Sequence, residues 1–246
     1  MRVVVAGASG LIGSRTVARL RDHGVEAVPV ARSEGVDVTT GQGLADALRG
    51  VEVVVDVTDA PSRGERASVE FFDTATANLL RAAAAAGAEH FVALSVVGAD
   101  RVQGGYFRAK ALQEQQVRNS PIPHSVVRAT PFFESVDALS RSTKHADGVH
   151  VAPALVRPVS TDDVAAAVSH AAVGVPLFGT REVAGPDQYR LDELTAKVQA
   201  AHGDPRGVVT DPHAPFFGAV LGERTLLPGA DAHVGHGTLD QWLARR

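Results

Sequence analysis

The chain contains only two tyrosines, and one of them, Tyr106, falls four residues before Lys110, one of its three lysines. On a helix this spacing places both side chains on one face. An ammonium beside a phenol stabilises phenolate and draws its pKa towards neutrality, giving a proton donor for a carbonyl that receives a hydride. The same lysine could hold the ribose next to the hydride carrier. Ser95 closes an apolar run eleven residues before Tyr106. Its hydroxyl could bond the substrate oxygen, although a strand-end serine satisfying local backbone looks the same in sequence. A Y-x-x-x-K spacing alone is mostly structural and gains weight only from the elements around it.

A second chemical signal opens the chain. The run Arg2 to Ala6 leads into Gly7-Ala8-Ser9-Gly10-Leu11-Ile12-Gly13, a G-x-x-G-x-x-G pattern. Its glycines suit a sharp turn, the approach of a pyrophosphate to the backbone, and close packing of helix on strand. Gly7, Ser9, Gly10, Leu11, Ile12 and Gly13 are therefore expected to bind a dinucleotide through free amides at a helix N-terminus. About 20 residues on, where an NAD site places a carboxylate for the ribose hydroxyls, stand Arg32 and Ser33, both donors suited to a 2′-phosphate. NADP(H) is the expected cofactor. Arg15 could add charge or be a solvated helix residue. Asp37, where a third strand would come beside the adenine, could accept from its exocyclic amine or be a surface aspartate.

These residues need a scaffold, and the pattern supplies one. Short apolar runs at Arg2 to Ala6, Glu26 to Ala31, Val51 to Val57, His90 to Ser95 and His124 to Ala129 alternate with helix-patterned stretches. The helices are expected near Leu11 to His23, Gly43 to Arg49, Ala67 to Ala86 and Tyr106 to Asn119. Continuous apolar strands joined by right-handed helical crossovers predict an α/β fold, a Rossmann-type doubly wound parallel sheet. Past Thr130 the rhythm is broken by Pro131, Pro153, Pro158, Pro176 and Pro186. Residues 1–130 are thus expected to form the dinucleotide-binding core, and residues 131–246 a small substrate-binding cap interleaved with the last core elements. Within the cap, Thr161 before Asp162 and Asp163 reads as the N-cap of a helix. Leu239, Trp242 and Leu243 predict a short amphipathic helix within Gly237 to Arg246.

Composition narrows the function. With 28 acidic against 24 basic residues the net charge is −4, so no basic field favours nucleic acid. The absence of cysteine removes thiol nucleophiles, disulfides and thiolate metal sites. His213, His233 and His236 lie in a Pro- and Gly-rich tail without the carboxylate pattern of a metal centre, and no metal is expected. The first apolar run is four residues long, too short for a membrane span. A cytoplasmic chain that acts on a small molecule and could pair as a homodimer is the expectation. All but three of the 24 basic residues are Arg, a bias that suggests a bacterial genome rich in G and C. Phe132, Phe133, Phe216 and Phe217 could line an apolar substrate pocket or fill the core.

The glycine loop, the stretch His90 to Gly98, Gly105-Tyr106-Phe107-Arg108-Ala109-Lys110, and Val126 to Phe133 together resemble the atypical short-chain dehydrogenase/reductases, close to the NmrA-like NAD(P)-binding branch. Arg157 to Val164 and Glu182 to Pro186 match the same family, so the resemblance spans nearly the whole chain. It implies NADP(H) in the crevice and Ser95, Tyr106 and Lys110 at the positions of the catalytic triad. It also implies that Thr58, Ala60 and their neighbours to Pro61 border the adenine, and that Ala129, Thr130, Pro131, Phe132 and Phe133 border the nicotinamide. Phe71 and Phe72 stand about where typical members carry a relay asparagine, and Asn78 lies farther along. Two functions follow: hydride transfer to a carbonyl, quinone or enone, or a dinucleotide-binding sensor without turnover.

Overall fold

In the first strand Val3 and Val5 face one hydrophobic core while Val4 and Ala6 face another, and all four are fully buried. A strand apolar on both faces must lie between two helical layers, and the computed structural model, which describes residues 1–141 and 145–245, shows that arrangement. In chain order the strands are β1 (Arg2–Ala6), β2 (Glu26–Val30), β3 (Val53–Asp56), β4 (His90–Val96), β5 (His124–Ala129), β6 (Val149–Val151), β7 (Leu155–Val156), β8 (Gly179–Ala184), β9 (Tyr189–Arg190), β10 (Val208–Thr210) and β11 (His233–Val234). The helices are α1 (Leu11–Asp22), α2 (Leu44–Ala47), α3 (Glu65–Ala85), α4 (Gly105–Asn119), α5 (Phe133–Ser140), α6 (Thr161–Val173), α7 (Leu191–Ala201) and α8 (Leu239–Leu243). A 3-10 turn covers Arg32–Glu34.

The main sheet has seven parallel strands in the order β11-β8-β5-β4-β3-β1-β2. The chain runs outward from β1 to β2 and returns on the other side of β1 as β3, so the strand order switches at β1 and opens a crevice at the C-terminal edge. Helices α1 and α6 cover one face through Ile12, Val17, Leu20, Val164 and Val168. Helices α3 and α4 cover the other through Leu79, Ala83 and Val117. This is the expected Rossmann-type α/β fold. The segment beyond Thr130 contributes β8, β11 and α6 to this body, and packs α5, α7 and α8 around a third core containing Phe133, Leu191, Leu194 and Phe216.

Several local expectations are corrected. No strand forms at Val36–Val38; Asp37 Oδ1 instead accepts from the Thr39 amide and hydroxyl at 2.7 and 2.6 Å, closing a turn. The N-cap of α6 is Ser160, whose hydroxyl accepts from the Asp163 amide at 3.0 Å and donates to its carboxylate at 2.7 Å, and Thr161 is the first helical residue. Helix α8 is capped by Thr238 with a reciprocal bond from Gln241, while Arg246 lies outside the described residues. No helix among the described residues is long and apolar enough to cross a membrane. Because Ser160 satisfies an otherwise orphaned amide at the start of α6, Ser160→Ala should lower unfolding free energy by about 1 kcal/mol in urea titration.

Candidate functional site

All strands of the main sheet end on one edge, which gathers the turns after β1, β2, β3, β4 and β5. Gly7 has φ +85°, and a Cβ on it would lie 2.7 Å from the Val57 carbonyl oxygen and 2.9 Å from Thr58 Cα. A Cβ on Gly13 would lie 2.1 Å from the Gly7 carbonyl oxygen. Both positions therefore exclude any side chain, which draws the start of α1 against the end of β3. Gly10, the N-cap of α1, provides no side-chain cap. Among the described residues the amides of Leu11, Ile12 and Gly13 find no acceptor, and the first helical bond is Ser14 to Gly10 at 3.0 Å. Three free donors at the positive end of a twelve-residue helix suit a pyrophosphate. Ser9, Gly10 and Leu11 are solvent-exposed beside them.

At the end of β2, Arg32 and Ser33 are both exposed. Among the described residues the Arg32 guanidinium has neither hydrogen bond nor ion pair, so its charge is available to a ligand. Arg15, weighed as a second such charge, is instead held by Asp162 of α6 at 2.9 Å and by the Leu11 carbonyl at 2.8 Å. Asp37 spends one carboxylate oxygen on its own turn, and its hydrogen bonds with Thr39 hold its pKa below the usual range. Thr58 donates to Asp56 through its amide at 3.0 Å and its hydroxyl at 2.6 Å, next to buried Ala60. After β5, Thr130 donates its amide to Val183 and its hydroxyl to the Arg157 carbonyl at 2.5 Å, Pro131 accepts from the Val159 amide, and Phe132 bridges to Val159. Ala129 is buried at the strand's end. The glycine loop, Arg32, Thr58, Ala60 and Ala129–Phe132 thus sit on the turns of one sheet edge.

Among the described residues Ser95, Tyr106 and Lys110 make no hydrogen bond to one another, and each is bonded to a different partner. Ser95 donates to Glu114 Oε1 at 2.6 Å, and both side chains are buried. Glu114 also accepts two bonds from buried Arg128, at 2.8 and 2.7 Å, and one from Arg118 at 2.7 Å. Burial pushes the Glu114 carboxyl up, but the bonds from Arg128 and Ser95 outweigh it and hold its pKa below the ordinary value of 4.5. Tyr106 donates to Asp59 Oδ1 at 2.7 Å, beneath the Arg63 guanidinium 4.3 Å from its ring centre. Arg63 grips Asp59 with two bonds of 2.6 Å. Lys110 bonds Gln113 and lies 4.2 Å from the Phe72 ring centre, and Gln113 continues to Asp56 at 2.8 Å. Phe72 also packs edge-on against Tyr106 at 5.8 Å, so the position considered for a relay asparagine is apolar.

The expected lowering of the Tyr106 pKa by Lys110 is therefore corrected. Burial and the adjacent Asp59 carboxylate push the phenol well above its ordinary value, and Lys110, lowered by burial to about 8, is engaged elsewhere. Asp59, Arg63, Gln113, Glu114 and Arg128 were not singled out by sequence; the K-x-x-x-E spacing of Lys110 and Glu114 was the one local sign. Among the aromatics, Phe133 stacks on Trp242 at 5.6 Å and Phe216 on Phe217 at 4.1 Å, and both Phe133 and Phe216 are core residues. Their burial matches the second of the two roles weighed for them, filling the core. Phe217, like Phe72, packs on Tyr106 at 5.8 Å, with a strained φ of +51° held by a 2.9 Å bond from the Tyr106 amide to its carbonyl. Asn78 donates to the Val38 and Thr39 carbonyls and is structural. A cleft of about 590 Å³ near His23, His170 and Val175 lies at the far ends of α1 and α6 from the glycine loop.

A glycine-rich turn at a topological switch, with free helix amides behind it, defines a dinucleotide-binding Rossmann protein. The sequence model for NAD(P)H-binding proteins matches residues 7–173, and the chain belongs to that family. It is 30% identical over 220 residues to (4-alkanoyl-5-oxo-2,5-dihydrofuran-3-yl)methyl phosphate reductase of Streptomyces griseus, covering 82% of this chain and 74% of that protein. It is 31% identical over 204 residues to the chloroplastic divinyl chlorophyllide a 8-vinyl-reductase of Oryza sativa subsp. indica, covering 68% of this chain and half of that protein. The Thermus thermophilus UDP-glucose 4-epimerase complex with NAD shares the fold with a TM-score of 0.72 at 21% identity, covering 93% of this chain and 90% of the epimerase. The NADPH-dependent quinone oxidoreductase of Escherichia coli does so with a TM-score of 0.62 at 17% identity, covering 86% and 78%.

Arg128 ties β5 to α4 through a carboxylate removed from water. Arg128→Met should therefore destabilise the fold by about 3 kcal/mol in urea unfolding, because it takes the main partner from a buried charge. Since the folded pKa of Glu114 lies below its unfolded one, its stabilisation is present above pH about 4.5 and is lost as the pH falls through the folded value. Urea midpoints of wild type and Glu114→Gln should accordingly differ most near neutrality and converge in acid.

Proposed function

We propose that the protein is an NADPH-dependent reductase of a carbon–carbon double bond conjugated with a carbonyl, an enone or quinone, in a small apolar molecule of the cytoplasm. The observation that carries this reading is that the hydroxyls of Ser95 and Tyr106 are both committed to carboxylates, Glu114 and Asp59. A simple ketone needs a strong proton donor at oxygen as hydride arrives; a conjugated acceptor spreads the charge and takes its proton from water. Two reductase relatives support the class, one named for a vinyl group and one for an oxo-dihydrofuran.

In this reading residues 1–130 hold the dinucleotide and residues 131–246 most of the substrate. The amides of Leu11, Ile12 and Gly13 bind the pyrophosphate, and Arg32 with Ser33 binds the 2′-phosphate. Thr58 and Ala60 border the adenine, and Ala129 to Phe132 the nicotinamide. Bound dihydronicotinamide supplies the hydride. Phe217 and the Tyr106 ring form the apolar wall, and Lys110 keeps its buried bond to Gln113. A second reading, a dinucleotide-binding regulator, draws on the same tied hydroxyls; tight NADPH binding without consumption of any enone, quinone or ketone would establish it.

Wild type should bind NADPH more tightly than NADH. Arg32→Ala should cost NADPH about 10- to 100-fold in affinity, the worth of charge-assisted bonds of about 1.5–3 kcal/mol, and leave NADH nearly unchanged; equal wild-type affinities contradict the assignment. With an enone panel, the expected product keeps its carbonyl and loses its double bond. Tyr106→Phe should lower turnover less than tenfold, against the 10²–10⁴-fold of a positioned general acid. An allylic alcohol as product, or a loss in that larger range, would return Tyr106 to the role of acid.

A further inference from the structure

Away from the crevice, the cap's two-stranded sheet of β6 and β10 carries a cluster that dinucleotide binding does not use. His145, Asp147 and His150 each offer one ligand atom, and these atoms lie within 4.8 Å of one another. The His145 and His150 rings stack with centres 4.0 Å apart and planes 22° apart. His150 stands on β6, and Asp211 follows β10, its amide bonded to the Val151 carbonyl at 2.9 Å. Two strands and the turn before them therefore converge on one point.

The hydrogen-bond chemistry there is incomplete without a cation. His150 Nδ1 faces Asp211 Oδ2 at 3.2 Å, and His150 Nε2 faces both oxygens of Asp147 at 3.0 and 3.2 Å. A neutral imidazole has one N–H. If Nδ1 donates to Asp211, as a carboxylate that orients a metal-bound histidine requires, the Nε2 lone pair points at a carboxylate, and a positive charge must lie between them. A proton would serve, but a proton has no use for His145, whose ring lies alongside.

We propose that His145, Asp147 and His150, oriented by Asp211, bind one divalent transition-metal ion of zinc type at the rim of the cap. Two imidazoles and a carboxylate are donors suited to zinc, nickel or copper and not to magnesium or calcium. Zinc bonds of about 2.0–2.1 Å in tetrahedral array separate ligand atoms by about 3.3 Å. The present spacing closes to that by side-chain rotation, since His145 and Asp147 are exposed while His150 is anchored on its strand. The two aspartates balance the dication, and the fourth position is left for water. The site would pin the turn ahead of β6 to the end of β10.

Isothermal titration of the full-length, chelator-treated protein with zinc sulfate tests this, alongside His145→Ala and Asp211→Asn, with far-ultraviolet circular dichroism to verify that each variant is folded. One zinc equivalent should bind wild type, His145→Ala should bind at least tenfold more weakly, and Asp211→Asn about 10- to 100-fold more weakly. Cupric ion in the same protein should show electron-spin coupling to two imidazole nitrogens, falling to one in His145→Ala. Absence of a stoichiometric zinc site in wild type, or unchanged affinity in folded His145→Ala, overturns the proposal and leaves His150 as a protonated link between Asp147 and Asp211.

Discussion

Gly13 and Gly7 approach so closely that a Cβ on Gly13 would sit 2.1 Å from the Gly7 carbonyl oxygen, and much of the candidate site depends on that contact. It presses the first turn of α1 against the turn after β1, while Gly7 in its left-handed conformation meets the end of β3. The helix then begins where no side chain can cap it, and the amides of Leu11, Ile12 and Gly13 remain without acceptors. Leaving donors unmet costs stability in a folded chain unless water or a ligand meets them. The same packing that fixes β1, β3 and α1 therefore prepares an anion site.

A second constraint acts deeper in the sheet. Arg128 on β5 and Glu114 on α4 are both buried, and their paired hydrogen bonds tie that helix to the strand below it. Ser95 at the end of β4 joins the same network, and Asp100 closes it from the turn beyond at 2.7 Å from Arg128. Such a network fixes where α4 lies, and with it Tyr106 and Lys110. It also consumes the serine hydroxyl, so rigidity at this point is obtained from a group that a carbonyl reductase of the same fold would use on substrate. The loop after β3 does the equivalent to Tyr106 through Asp59 and Arg63.

The elements that sequence specified best are those whose signal is local. β1 and β5 match their apolar runs residue for residue, and α1 and α4 lie within a residue of their periodic stretches, because burial on both faces leaves a continuous pattern. Val51 to Val57 contracts to Val53–Asp56, since a run of valines does not mark where the ladder stops. Ser160 and Thr161 are both good caps, and composition could not choose between neighbours. At the candidate site, the four-residue spacing of Tyr106 and Lys110 correctly placed them on one helix, but their partners were decided elsewhere. Asp59 lies 47 positions from Tyr106, and Asp56 lies 57 from Gln113, the residue that holds Lys110. Spacing along one helix carries no information about such contacts.

Hydrogen exchange resolved to single amides, with and without NADPH, examines the anion site most directly. The amides of Leu11, Ile12 and Gly13 should exchange rapidly in the free protein, because no acceptor protects them, and should become protected when NADPH is added at saturating concentration. Protection that appears elsewhere while these three amides continue to exchange freely would show that the dinucleotide does not lie on the glycine loop, and would contradict the account at its root.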